Sequence, residues 1–269
     1  AVGDPVDLAN ALALGANYLR HAQADVTEDN AGNGMGAGEV PNDPDDGGWD
    51  WAAMSPVFVH STAPSPLNTY GATAQGILQA YLATGDAALA TALDDAAAIM
   101  IANTGIRSAA DLIFLMRYDD LPYVAGTVYA DAARAKYDGR ITFYGTAMAF
   151  AEYIRDVRGV TQGYPNGLIG WDVGAFAVAA AMLDARYPGN NYGADADAIA
   201  EVLWQDSFNN TPGLFDFEDD KGYDATYANN NYHMYNLGVT GLLDAFVASG
   251  SHTAEVPALV ARLLESQGS

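Results

Sequence analysis

The sequence predicts an all-α chain of paired helices, and three observations carry that expectation. Apolar residues recur at helical spacing over most of the 269 residues. Glycines follow the periodic segments where helix C-caps belong. A helix-pair repeat also shows: "QGILQAYLATGD" (75–86) matches "TGLLDAFVASGS" (240–251), with a weaker copy at "AAAMLDARYPGN" (179–190). Each copy is followed by a second helical segment, so the unit is a helical hairpin. Its first helix is apolar nearly all round and rich in Gly and Ala, which demands burial on every side. Its second is amphipathic and carries the acids. Inner helices ringed by outer helices satisfy both patterns.

In chain order, Asp4 caps a first helix with Pro5 at its first position, running to about Gln23. Residues 25–67 read as a long loop rich in Gly, Pro and Asp. Helices follow over 69–84, 86–103, 108–117, 121–137, 144–158, 171–187, 193–207, 233–249 and 252–266. Gly85, Gly105, Gly139, Gly159, Gly189 and Gly250 are expected just past helix ends. Nothing reads as a strand.

Composition narrows the function. Thirty-four acids against eleven bases give a formal net charge of −23, which repels nucleic acid and anionic membranes. The acidity reads either as a solvated surface or as aspartate placed locally for calcium. Cysteine is absent, which removes disulfides and thiol chemistry. No apolar run approaches a membrane span. The start at Ala1 suggests a processed, extracellular chain.

The hairpin "NTYGATAQGILQAYLATGD" with its partner helix resembles those of α/α-toroid proteins. These include the terpenoid-cyclase and protein-prenyltransferase toroids, and the six-hairpin glycosidases and polysaccharide lyases. The resemblance covers most of the chain. It implies a single α/α toroid over residues 1–269, with about five to six helical hairpins and long loops at one end.

Three acidic stretches invite chemistry. In "NDPDDGGWDW", Asp43, Asp45, Asp46 and Asp50 sit beside Gly47–Gly48, Trp49 and Trp51. Asp43, Asp45 and Asp46 resemble the Asp-x-Asp-Asp proton donor of class II terpene cyclases, but the Thr-Ala that follows it there is Gly-Gly here. Oxygen ligands spaced by one, with Gly for a tight turn, also suit calcium, as does a solvated turn with Asx caps. "FDFEDDKGYD" offers Asp216, Glu218, Asp219 and Asp220 on the same alternatives. "DVTEDNAGNG" (25–34) reads as a surface loop.

"YANNNYHMYN" opens the last inner helix. Asn230, Asn231, Tyr232 and His233 resemble the Asn-Asn-His and Tyr sets of alginate-type lyases, which implies that Asn neutralises a uronate carboxylate while His or Tyr moves the neighbouring proton. An N-cap with aromatic packing explains the same residues. A glycosidase needs two facing carboxylates, and Asp50, Asp172 and Glu152 are candidates. Asp172 also reads as a first-turn helix acid. Trp49, Trp51, Tyr70, Tyr164 and Tyr192 are expected to be exposed, as interface or ligand-stacking rings.

Two function classes follow. The first is an extracellular structural protein that self-assembles into a homo-oligomer or polymer, with calcium as its only cofactor. The alternative is a secreted carbohydrate-active enzyme, a polysaccharide lyase or glycoside hydrolase. Its cleft would lie near Trp49, Trp51, Asp172, Tyr232 and His233.

Overall fold

A computed structural model of the chain describes residues 5–21, 23, 49, 69–102, 108–161, 166–208 and 231–267. Every regular element among them is helical. The chain divides into two compact units, residues 1–133 and 134–269.

The first unit holds α1 (Pro5–His21), α2 (Thr69–Thr84), α3 (Ala87–Ala102) and α4 (Ala109–Asp119), and ends within α5 (Val128–Tyr144). Helix α2 packs against α1, α3 and α4. Its core is built from Tyr70, Ile77, Leu78, Leu93, Leu112, Phe114, Leu115 and Met116, all fully buried. Residues 109–116 of α4 are buried on every side, as "AADLIFLM" requires. Gly71 makes this possible, because a Cβ there would run into the Ala110–Asp111 backbone.

The second unit holds α6 (Ala147–Tyr153), a π-helical segment (Ile154–Thr161), α7 (Asn166–Arg186), α8 (Tyr192–Phe208), α9 (Asn231–Ser249) and α10 (Val256–Gln267). Helix α7 packs on α8 and α9, and α10 packs on α9. The α7 and α9 backbones touch through glycines. A Cβ on Gly174 would meet Gly241, one on Gly241 would meet Gly170 and Trp171, and one on Gly170 would lie 3.3 Å from Gly238 Cα. These small residues trade side-chain contacts for a close helix approach.

The repeat survives down to its hydrogen bonds. Thr84 and Ser249 each donate a hydroxyl to the carbonyl four residues back, Ala80 and Ala245, both at 2.8 Å. Gly85 and Gly250 donate their amides to Tyr81 and Phe246 carbonyls at 2.7 and 3.0 Å. The amides of Asp86 and Ser251 then donate back to the same two hydroxyls. Both glycines take positive φ, 69° and 72°, where a side chain would be strained. Asp86 caps the next helix, accepting from Ala88 N–H at 2.9 Å.

Several expected boundaries are corrected: α7 begins at Asn166 rather than 171, and α10 at Val256 rather than 252. The helix expected over 121–137 begins at Val128, because Leu121–Thr127 forms turns around Gly126 at φ 87°. Its end moves with it. Gly139 lies inside α5, and Gly145 at φ 93° is the terminating glycine. The single helix expected over 144–158 is instead α6, capped by Thr146 Oγ1 accepting from Ala149 N–H at 3.0 Å, followed by the π-helical turn that contains Gly159. Gly105 lies outside the described residues.

Candidate functional site

Among the described residues, several aspartates hold backbone amides of a neighbouring helix. Asp111, buried in α4, accepts from Gly71 N–H in the first turn of α2 at 2.9 Å. Asp119, also buried, accepts from Tyr129 N–H at the start of α5 at 3.1 Å. Asp184 of α7 accepts from Gly193 N–H at the start of α8 at 3.0 Å. Each carboxylate satisfies an orphan amide at the positive end of a neighbouring helix.

A second use is with tyrosine. In the first unit, Asp94 Oδ1 accepts from Tyr118 Oη at 2.6 Å and Tyr123 Oη at 3.2 Å. Tyr118 stacks edge-on against Tyr129 at 4.6 Å, and Tyr81 against Tyr123 at 5.7 Å. In the second unit, Arg134 Nε donates to Tyr192 Oη at 3.0 Å, and that hydroxyl donates to Asp138 at 2.9 Å. Tyr137 Oη donates to Asp195 at 3.1 Å. The Arg134 guanidinium also covers the Tyr187 ring at 4.7 Å and donates to Asn190 Oδ1 at 3.2 Å.

The protonation of these groups fixes what they can do. Burial, with Asp94 adding to it, drives the Tyr118 and Tyr123 hydroxyls far above their ordinary range. Burial and Asp195 do the same to Tyr137, and burial leads the rise at Tyr192. All four therefore stay protonated at neutral pH and act as donors, the opposite of a tyrosinate base. Burial also raises the Asp195 carboxyl, with Asp138 adding to it and the Tyr137 hydrogen bond opposing it.

A histidine in the turn between α9 and α10 reaches back to α8. His252 sits at φ 49°, stacks on Trp204 at 4.7 Å with rings 10° apart, and meets Glu201 Oε2 at 3.0 Å. A small cavity of about 50 Å³ lies between Leu12, Ala16, Ala80, Thr84, Asp86 and Leu89 in the first unit, with room for little more than water.

The expected exposure of three aromatic rings is corrected. Trp49 is 3 % exposed: its Nε1 donates to Leu19 O at 2.8 Å and its ring meets Tyr70 edge-on at 6.5 Å. Tyr70 and Tyr192 are likewise buried. Their large apolar faces are consumed in the core. Trp51 and Tyr164 lie outside the described residues.

Asp172 is partly exposed in α7, but that helix starts at Asn166, so Asp172 sits beyond the first turn. Its expected role as a first-turn acid is corrected accordingly. Asn231, Tyr232 and His233 do head α9, while their side chains lie outside the described ones. Asp43, Asp45, Asp46, Asp50, Asp216, Glu218, Asp219, Asp220 and Asn230 also lie outside the described residues. Among the described residues, no three His, Asp or Glu side chains gather as a metal site, and no helix is long and apolar enough to cross a membrane.

Sequence reasoning missed the tyrosine–aspartate pairs, whose members lie 24 to 58 residues apart. It also missed exposed apolar side chains on the consecutive helices α5 and α6: Phe143, Met148 and Tyr153. No family model, curated protein or solved structure matches the chain.

Proposed function

We propose that the chain is an extracellular structural protein that assembles with copies of itself into a filament, tube or surface layer. In this reading the hairpins close into one α/α toroid over 1–269. Calcium at the segments around Asp43–Asp50 and Asp216–Asp220 offsets the repulsion between acidic subunits.

The observation that carries the reading is large apolar side chains standing in water on a chain of net charge −23. Phe143 is 81 % exposed, Leu14 73 %, Val247 63 % and Leu264 61 %. A highly charged chain gains solubility from its charge, while exposed apolar groups gain free energy only when a partner covers them.

Sedimentation velocity over a concentration series, with calcium and with a chelator, tests this. Concentration-dependent growth that reverses on chelation is the expected result. A monomer at every concentration that cleaves an added polysaccharide would replace it with the carbohydrate-active reading, with Asp172, Asn231, Tyr232 and His233 as the residues to mutate first.

A further inference from the structure

The exposed apolar side chains are not equal, because one group lies where the charge is reversed. Phe143 and Tyr144 end α5, and Met148 and Tyr153 lie on α6. The Phe143 ring meets Tyr144 at 4.9 Å, and Tyr144 meets both Tyr153 at 4.9 Å and Phe150 at 5.4 Å. Phe150 is buried and packs on Phe176 at 4.6 Å. The surface aromatics are thus the outer end of a chain of ring contacts that reaches the core. Aromatics lose little conformational freedom on binding, which is why they anchor interfaces.

The same stretch is the basic part of the chain. Residues 134–158 carry Arg134, Lys136, Arg140, Arg155 and Arg158, five of the eleven bases, with only Asp138, Glu152 and Asp156 of the thirty-four acids. Thirty-one acids and six bases remain elsewhere. A partner matched to this patch is acidic, and the rest of this chain is such a partner. Patch against patch would oppose like charges and is disfavoured.

We infer that the Phe143–Met148–Tyr153 patch, set in the basic stretch 134–158, docks onto an acidic face of a second copy of this chain. The two surfaces differ, so the contact is heterologous and repeats head to tail instead of closing as a two-fold dimer. This rests on the assembly reading above and names the surface that reading leaves open.

The test compares wild type with Phe143→Ser/Met148→Ser, Arg140→Glu and Leu14→Ser by sedimentation velocity, with thermal unfolding as the folding control. Phe143 and Met148 are exposed, so the double variant should unfold with the wild type. Its critical concentration should rise about ten-fold or more. Arg140→Glu should also raise it and flatten its salt dependence. Leu14→Ser, exposed but outside the patch, should raise the critical concentration far less than the double variant does. A folded double variant that polymerises at the wild-type concentration overturns the patch and leaves the assembly reading standing. Closed dimers from wild type overturn the head-to-tail contact. A wild type that never associates overturns both.

Discussion

Asp111 Oδ1 accepts the amide of Gly71 at 2.9 Å, so a carboxylate buried inside one helix holds the first turn of another. Removing it strands an amide at the point where the two backbones meet. Asp111→Ala should cost about 1–3 kcal/mol. Urea unfolding measures it, and a midpoint unchanged from wild type would show that water replaces the carboxylate without loss.

Three glycines should answer differently to the same substitution. Gly241→Ala drives a methyl into the Gly170 backbone and should destabilise by about 1–3 kcal/mol or more. Gly145→Ala, at φ 93°, should cost about 1 kcal/mol by strain. Gly139→Ala, in open space inside α5, should stabilise by up to about 1 kcal/mol. Thermal unfolding ranks the three, and any other order contradicts the close approach of α7 and α9 or the extent of α5.

Trp49→Ala should act through stability. A ring 3 % exposed, tied to Leu19 O and packed on Tyr70, should cost about 3–5 kcal/mol when truncated. A variant as stable as wild type that fails only in assembly would return Trp49 to the surface role its sequence context suggests.

The Asp195 carboxyl should leave a mark on the pH dependence. Its pKa in the folded state lies above the ordinary carboxylate value, so the folded chain holds this proton more tightly than the unfolded chain. Its contribution is therefore favourable at acid pH and is lost as pH rises from about 4 through the folded value. Asp195→Asn cannot ionise and should escape that loss. The urea midpoint of the variant should gain on wild type between about pH 4 and pH 7. A constant difference across that range would show that Asp195 ionises as it does in the unfolded chain.

The hairpins were legible because their signals are local. "YLATGD" and "FVASGS" each write a hydroxyl, a left-handed glycine and a following turn into consecutive residues, and these positions form equivalent hydrogen bonds. The α5 boundary was not, because Leu121–Thr127 is as apolar as the helix that follows. Its turn is fixed by Gly126 and by the distant acceptor Asp119. The aromatic assignments failed for a related reason. A Trp in a Gly/Asp-rich segment looks exposed, yet Trp49 folds back to a carbonyl 30 residues earlier. The tyrosine–aspartate pairs have no signature at all in a chain with so many of both.

Assembly is the central claim, and electron microscopy of the native protein, with and without a calcium chelator, tests it most directly. Ordered open-ended polymers that disperse on chelation are the predicted result. They would make the Asp43–Asp50 and Asp216–Asp220 segments the first metal sites to mutate. Dispersed single particles in both samples, at concentrations well above any physiological level, would contradict it.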